Sequence, residues 1–207
     1  MLAASISAVV AIAAIGWLAA NWGGGVAERG PVPAATGDIF AGASADRLFL
    51  SASESAEAAR RDLLPRGTRS IISTGGRLRH GTWRWDVAGV PPGPITVRVD
   101  LQRQLVSVFR GPDEIGTAVV VYGADGKETP RGKLPILGKT RDYHSITYDA
   151  PMPYSLWLRE DGVALHGSSV RMGRATNGCI GVPVEFAAKL FEVARKGDTI
   201  EVIDGPR

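Results

Sequence analysis

Ile95-Thr96-Val97-Arg98-Val99-Asp100-Leu101 decides the fold. Ile95, Val97, Val99 and Leu101 alternate with Thr96, Arg98 and Asp100, the period-two pattern of a strand with one face in a core. Gln104 to Phe109 repeats the β-rich texture, so the two stretches read as a hairpin. Ile115 to Tyr122 reads as a third strand, and Leu134–Leu137, Ser155–Arg159, Val163–His166 and Thr199–Ile203 as further ones. Pro183 stands where a helix favours proline, at its first position, and Phe186, Leu190 and Ala194 share a face beyond it. Arg195 and Lys196 suit the negative end of that helix, and Gly197 closes it. Residues 95–207 are expected to form one mainly β domain with few helices.

Upstream, Val90-Pro91-Pro92-Gly93-Pro94 is a stiff break and marks an expected domain boundary. Residues 51–94 read as a short α/β extension. Ser51-Ala52-Ser53-Glu54 is a capping box that opens a helix to about Leu64, stopped by Pro65. Ile71–Ser73 and Thr82–Val87 read as strands, with Trp83 and Trp85 on one face as core residues. Residues 28–50 read as a linker, because Gly23 to Ser44 is rich in Gly, Ala and Pro without apolar periodicity. Residues 1–27 carry no charged side chain, and Leu2 to Ala20 is nearly all apolar. Nineteen helical residues span about 28 Å, the thickness of a bilayer's hydrocarbon. Trp17 and Trp22 suit the far interface. The segment reads as a membrane anchor, or as a signal cleaved near Gly25-Val26-Ala27.

The net charge of +3 is dispersed with no basic stripe, so no nucleic-acid partner is expected. Three histidines and one cysteine make no zinc set, and no metal or cofactor is expected. The single cysteine, Cys179, has no intramolecular disulfide partner. Read alone, it is a buried apolar thiol, an intermolecular bridge or a reactive nucleophile. Its surroundings favour the last. His166 ends a predicted strand thirteen positions earlier, and Gly178 lets the backbone turn sharply before the thiol. An imidazole can take the thiol proton, and amide N–H groups near Gly178 and Cys179 can receive an oxyanion. The imidazole's other nitrogen needs an orienting acceptor, and a backbone carbonyl can serve.

His166-Gly167, followed by Thr176-Asn177-Gly178-Cys179-Ile180-Gly181, resembles the H-G … S-x-G-C-[IV]-R signature of the L,D-transpeptidase catalytic-domain family of bacterial cell-wall enzymes. The resemblance runs from Ile95 to Ile203 and includes Leu101, Gln104-Leu105, Thr129-Pro130-Arg131-Gly132 and Met152-Pro153-Tyr154. It implies a β-sandwich, no cofactor, and a thioacyl-enzyme formed on a peptidoglycan tetrapeptide stem with release of D-alanine. Cys179 aligns with the family's nucleophile and His166 with its base. The carbonyl after the histidine belongs here to Gly167 or Ser168. Thr176, Asn177, Arg174 and Tyr154 are the expected substrate contacts, with Gly178 as backbone support. The resemblance further implies a periplasmic enzyme, which the apolar segment would hold to the inner membrane through residues 2–20. Its acceptor would be a second stem or a protein. An L,D-carboxypeptidase or a degenerate wall-binding protein would use the same chain. A sortase-like enzyme also pairs His with Cys, but its histidine typically lies much further upstream. Two positions depart from the family: Thr176 stands for its serine and keeps the hydroxyl, and Gly181 stands for its arginine and keeps nothing. Arg174 or Arg171 is the expected substitute for the lost charge. His80-Gly81-Thr82 imitates the motif outside the matching region, and His144 is expected in a loop over the site.

Overall fold

The computed structural model describes residues 47–205. The expected membrane segment and most of the expected linker lie outside them. Among the described residues no helix is long and apolar enough to cross a membrane. The chain is mainly β with two helices, α1 (Ala52–Arg60) and α2 (Val184–Val193). One eight-stranded sheet runs β1 (Arg47–Phe49), β2 (Ser70–Ile72), β6 (Asp113–Val119), β5 (Leu105–Arg110), β4 (Ile95–Asp100), β14 (Thr199–Ile203) and β7 (Gly132–Pro135), with β3 (Trp83–Trp85) also on β6. A four-stranded sheet runs β13 (Ile180–Val182), β12 (Ala164–Gly167), β11 (Ser155–Trp157) and β8 (Gly138–Thr140). β9 (His144–Ser145) and β10 (Ala150–Pro151) form a small hairpin.

The inward residues of β4 to β6, with Ile200 and Val202, meet Leu156, Leu165, Ile180 and Val182 of the smaller sheet in one core. Phe186, Leu190 and Phe191 of α2 join them, and the edge of Trp85 packs on Phe186 at 5.4 Å between ring centroids. The core thus fixes the smaller sheet, which carries both histidine and cysteine motifs.

Several boundaries differ from the sequence reading. Arg47–Phe49 is a strand where a linker was expected, held by a buried guanidinium. Arg47 Nη1 donates to Glu114 O at 2.6 Å and Ser70 Oγ at 3.1 Å, and Nη2 donates to Asp86 O at 2.9 Å. The break at Val90–Pro94 does not separate two sheets. β2 and β3 of the extension pair with β6, and Arg98, on the outer face of β4, bonds Asp62 just past α1 as well as Glu201 at 2.7 Å. α1 keeps its capping box but ends at Arg60, because Asp62 turns to φ 53° to meet Arg98. Pro183 is the cap of α2 rather than its first residue, and Ala194 is extended at ψ 145°, so Arg195 and Lys196 lie past the helix. Lys139 of β8 supplies the positive charge instead, donating to Ala194 O at 2.7 Å and to Phe191 O. β13 was not foreseen.

The join between extension and sheet has a titrating group at its centre. Burial pushes the Glu114 carboxyl up to about 7, against hydrogen bonds from Ser107 and the Ile72 amide and the charge of Arg47. A raised carboxyl pKa means that the native state holds the proton more tightly than the unfolded chain. Stability is therefore expected to fall as pH rises from the ordinary glutamate value to about 7, by about 3 kcal/mol in all, and then to level off. Glu114→Gln should flatten that fall, because an amide can still accept from Ile72 N. Urea unfolding at pH 5 and pH 8 measures it; an equal fall in both proteins would remove Glu114 as its source.

Candidate active site

β12 and β13 run parallel, pairing Leu165 with Ile180, His166 with Gly181 and Gly167 with Val182. Cys179 stands immediately before β13. It lies two positions before Gly181, the register partner of His166. Thus the two motifs, thirteen residues apart, come to neighbouring strands of one sheet.

The imidazole is buried, and its Nδ1 lies 2.9 Å from Gly167 O. A carbonyl only accepts, so the proton sits on Nδ1 and Nε2 keeps its lone pair. Burial holds the imidazole below the usual histidine range, against the pull of the Gly167 carbonyl. Of the two candidate carbonyls, Gly167 faces the ring. Ser168 uses its amide to bond Val182 O at 2.7 Å, tying β12 to β13. Gly167 also has to be small: a β-carbon there would stand 3.1 Å from Pro153 Cγ and 3.2 Å from Val184 Cα. Pro153 O accepts the Gly167 amide at 2.8 Å, so the Met152-Pro153-Tyr154 stretch serves as a backstop for the histidine.

Cys179 is half-buried and its thiol faces Gly162 O at 3.8 Å. Burial pushes the thiol pKa up; the backbone of Ala164 works against that rise and the Asp161 carboxylate adds to it. Gly178 has φ 104°, a backbone conformation that a side chain would strain. Thr176 Oγ1 donates to Cys179 O at 2.5 Å, closing the turn that presents the thiol. Its own amide and carbonyl bond Tyr122 O and Ala124 N. The hydroxyl expected to contact substrate therefore braces the cysteine loop.

The remaining expected contacts differ in exposure. Asn177, Arg171 and Arg174 are exposed, and the Arg174 amide closes a turn on Arg171 O. The Tyr154 ring packs edge-on against Phe191, with the Arg141 guanidinium over it. His144 lies 2.8 Å from Asp149 across the β9–β10 hairpin.

Gly181 now has a physical reason. Its amide and carbonyl exchange hydrogen bonds with Val121 at 2.8 and 2.9 Å. A β-carbon at 181 would lie 2.7 Å from Val121 Cγ2 and 2.9 Å from Ser168 Cβ. The space an arginine stem would need is filled. The sequence reading also missed a buttress from the extension. Leu78 packs with Val121 and Val170, and the φ +83° turn at Gly81 brings the backbone against Val170 O. His80 belongs to this turn, so the imitation motif lies nearer the site than its place in the chain suggested.

The family model for the YkuD, L,D-transpeptidase catalytic domain matches residues 94–202, more than half of the chain. The chain belongs to the L,D-transpeptidase catalytic-domain family. An L,D-transpeptidase from Stackebrandtia nassauensis is 26% identical with a TM-score of 0.51, over 56% of this chain and 58% of that one. The LD transpeptidase LdtMt1, solved in complex with imipenem, is 21% identical with a TM-score of 0.50, over 53% and 58%. An L,D-transpeptidase from Mycobacterium smegmatis is 18% identical with a TM-score of 0.49, over 53% and 58%. The chain thus spans less than two thirds of these L,D-transpeptidase structures. No curated protein matches it.

Proposed function

We propose that this family member is a peptidoglycan L,D-transpeptidase with Cys179 as nucleophile and His166 as base. The observation that carries the reading is the β12–β13 pairing, which brings the cysteine loop beside an imidazole whose Nδ1 is occupied by Gly167 O. Nε2 is then free to take the thiol proton. The sulfur attacks the carbonyl of the L,D-amide between diaminopimelate and the terminal D-alanine of a tetrapeptide stem. The Gly178–Cys179 backbone receives the oxyanion. His166 returns the proton to the leaving D-alanine amine, and a thioester remains on Cys179. An amine of a second stem, or of a protein, takes the acyl group and frees the thiol.

In this reading Gly167 orients the base, Thr176 positions the nucleophile's loop, and Asn177, Tyr154 and Arg174 meet the stem. Arg174 supplies the guanidinium for the diaminopimelate carboxylate, because position 181 has no room for one. The enzyme works in the periplasm, anchored to the inner membrane by residues 2–20.

The test is mass spectrometry of products from a tetrapeptide donor, with and without an amine acceptor. Release of D-alanine with a cross-linked product supports transpeptidation. A tripeptide as sole product in both tubes would make the protein an L,D-carboxypeptidase, and an untouched donor would leave wall binding.

A further inference from the structure

Two loops meet beside the catalytic motif, and both expose arginines. The first comes from the extension and carries Arg77, Leu78, Arg79 and His80. Its ends are fixed: Thr74 Oγ1 donates to Gly76 O at 2.6 Å, and Thr82 donates to Arg79 O from its amide at 3.0 Å and from Oγ1 at 2.6 Å. Leu78 packs on Val119, Val121 and Val170, with Arg77 and Arg79 exposed on either side of it. The second loop follows β12. Val170 is buried in the same cluster, and Arg171 and Arg174 beyond it are exposed. The loops touch at Gly81, where a β-carbon would lie 3.3 Å from Val170 O. Val121 in turn exchanges backbone bonds with Gly181, the register partner of His166. The arginines thus stand on a surface anchored next to the strand of the proposed base.

These guanidinia are uncommitted. Arg47, Arg69, Arg98, Arg103 and Arg141 each hold a carboxylate. Among the described residues, the side chains of Arg77, Arg79, Arg171 and Arg174 hold none and donate no hydrogen bond. The neighbouring 123–129 loop, bridged to Thr176 through Gly123, carries Asp125 and Glu128 beside Lys127, and Glu128 accepts from the Gly126 amide at 2.9 Å. The excess of positive charge therefore lies on the two arginine loops. An unpaired guanidinium is a fork that fits a carboxylate with two parallel N–H bonds.

We propose that Arg77 and Arg79 of the extension, with Arg171, bind the carboxylates of the acceptor stem. The inference rests on the transpeptidase reading. In that reading Arg174 answers the diaminopimelate carboxylate of the donor, and the second stem brings diaminopimelate carboxylates of its own to the same thioester. Guanidinia left over on two touching loops match that second set of charges. A neutral amine would gain nothing from them. Residues 77 and 79 lie outside the stretch that matches the family model, so the choice of acceptor is assigned to a part of the chain that the family's domain does not supply.

The test uses the full chain with a tetrapeptide stem as donor and a tripeptide stem as acceptor, because the tripeptide ends in diaminopimelate and has no D-alanine to release. Cross-linked product is followed by mass spectrometry against acceptor concentration. Arg77→Gln combined with Arg79→Gln should raise the acceptor KM about three- to tenfold, the effect of two exposed charge pairs, and leave the first release of D-alanine at its wild-type rate. Lysine at both positions should recover part of the loss, because the charge stays and the fork does not. An acceptor with its carboxylates amidated should show the same KM in wild type and double variant, and about 0.5 M salt should narrow the gap for the native acceptor. An unchanged KM, or an equal rise for the amidated acceptor, overturns the proposal. NMR titration of the tripeptide into Cys179→Ala, with and without the two glutamines, needs no turnover. Arginine-dependent binding in a protein whose wild type leaves tetrapeptide untouched would sink the transpeptidase reading alone. Cross-linking at a KM that the double variant shares would sink the arginine site alone.

Discussion

Cys179→Ala is expected to abolish D-alanine release and to take up no carbapenem, whereas the wild-type protein gains one stable adduct on Cys179. In the proposed reaction nucleophile and base act as a unit, and removing either member of such a unit in a known hydrolase costs about 10⁶ in kcat. His166→Ala should therefore leave only a slow trace of acylation. Cys179→Ala should keep the wild-type fold, because Cys179 is half-buried at a strand entrance and contributes little core volume. The pH profile carries the sign of the base. His166 must be neutral to accept the thiol proton, and burial holds it below its usual range. Acylation should persist below the ordinary histidine value as pH falls, and be lost only when the ring is protonated. An adduct in Cys179→Ala of the wild-type mass and rate would show that another group is acylated.

Gly181→Arg, which restores the family's residue, is expected to damage this protein. The β-carbon alone meets Val121 Cγ2 at 2.7 Å and Ser168 Cβ at 2.9 Å. Both neighbours are tied by backbone bonds, Val121 to Gly181 itself and Ser168 to Val182. Even Gly181→Ala should cost about 1–3 kcal/mol through overpacking. Arginine adds a charged stem to a closed space and pushes on the register partner of His166, so acylation should fall with stability. Val121→Ala removes the nearest atom and should recover part of the alanine variant's loss. Differential scanning calorimetry with the carbapenem assay reads both quantities. A Gly181→Arg protein with wild-type Tm and acylation would refute the packing account.

These cases show what the sequence could and could not reveal. β4 was legible because its apolar residues alternate, and β5, β6 and β14 because they are rich in β-branched and aromatic residues; each strand is five to seven residues long. β1 was not, because it reverses the rule: Arg47 is buried while Leu48 and Phe49 are largely exposed. β13 has three residues with a glycine at its centre, too short for periodicity, although Ile180 and Val182 flanking Gly181 were its one signal. The break at Val90–Pro94 was read as a boundary because proline and glycine stop local structure; that the chain then returns to the same sheet is a tertiary fact. At the site, the His-Gly and Gly-Cys dipeptides were legible as motifs, and Thr176 as a hydroxyl. Its bond to Cys179 O, the choice of Gly167 over Ser168, and the turn over the thiol depend on strand register, which no spacing discloses.

The three strands of the extension shelter a long edge. Remove residues 47–93, keeping only the stretch that matches the family model, and β6 loses β2 and β3 together. Its outer row of N–H and C=O groups would then be bare, while Arg98 would lose Asp62 and Glu114 would lose the Ile72 amide. A bare edge of this kind is a template for a second chain to add to. The catalytic motif can be cut out of this sequence, but the protein that carries it cannot; a trimmed version would meet its own copies before it met its substrate.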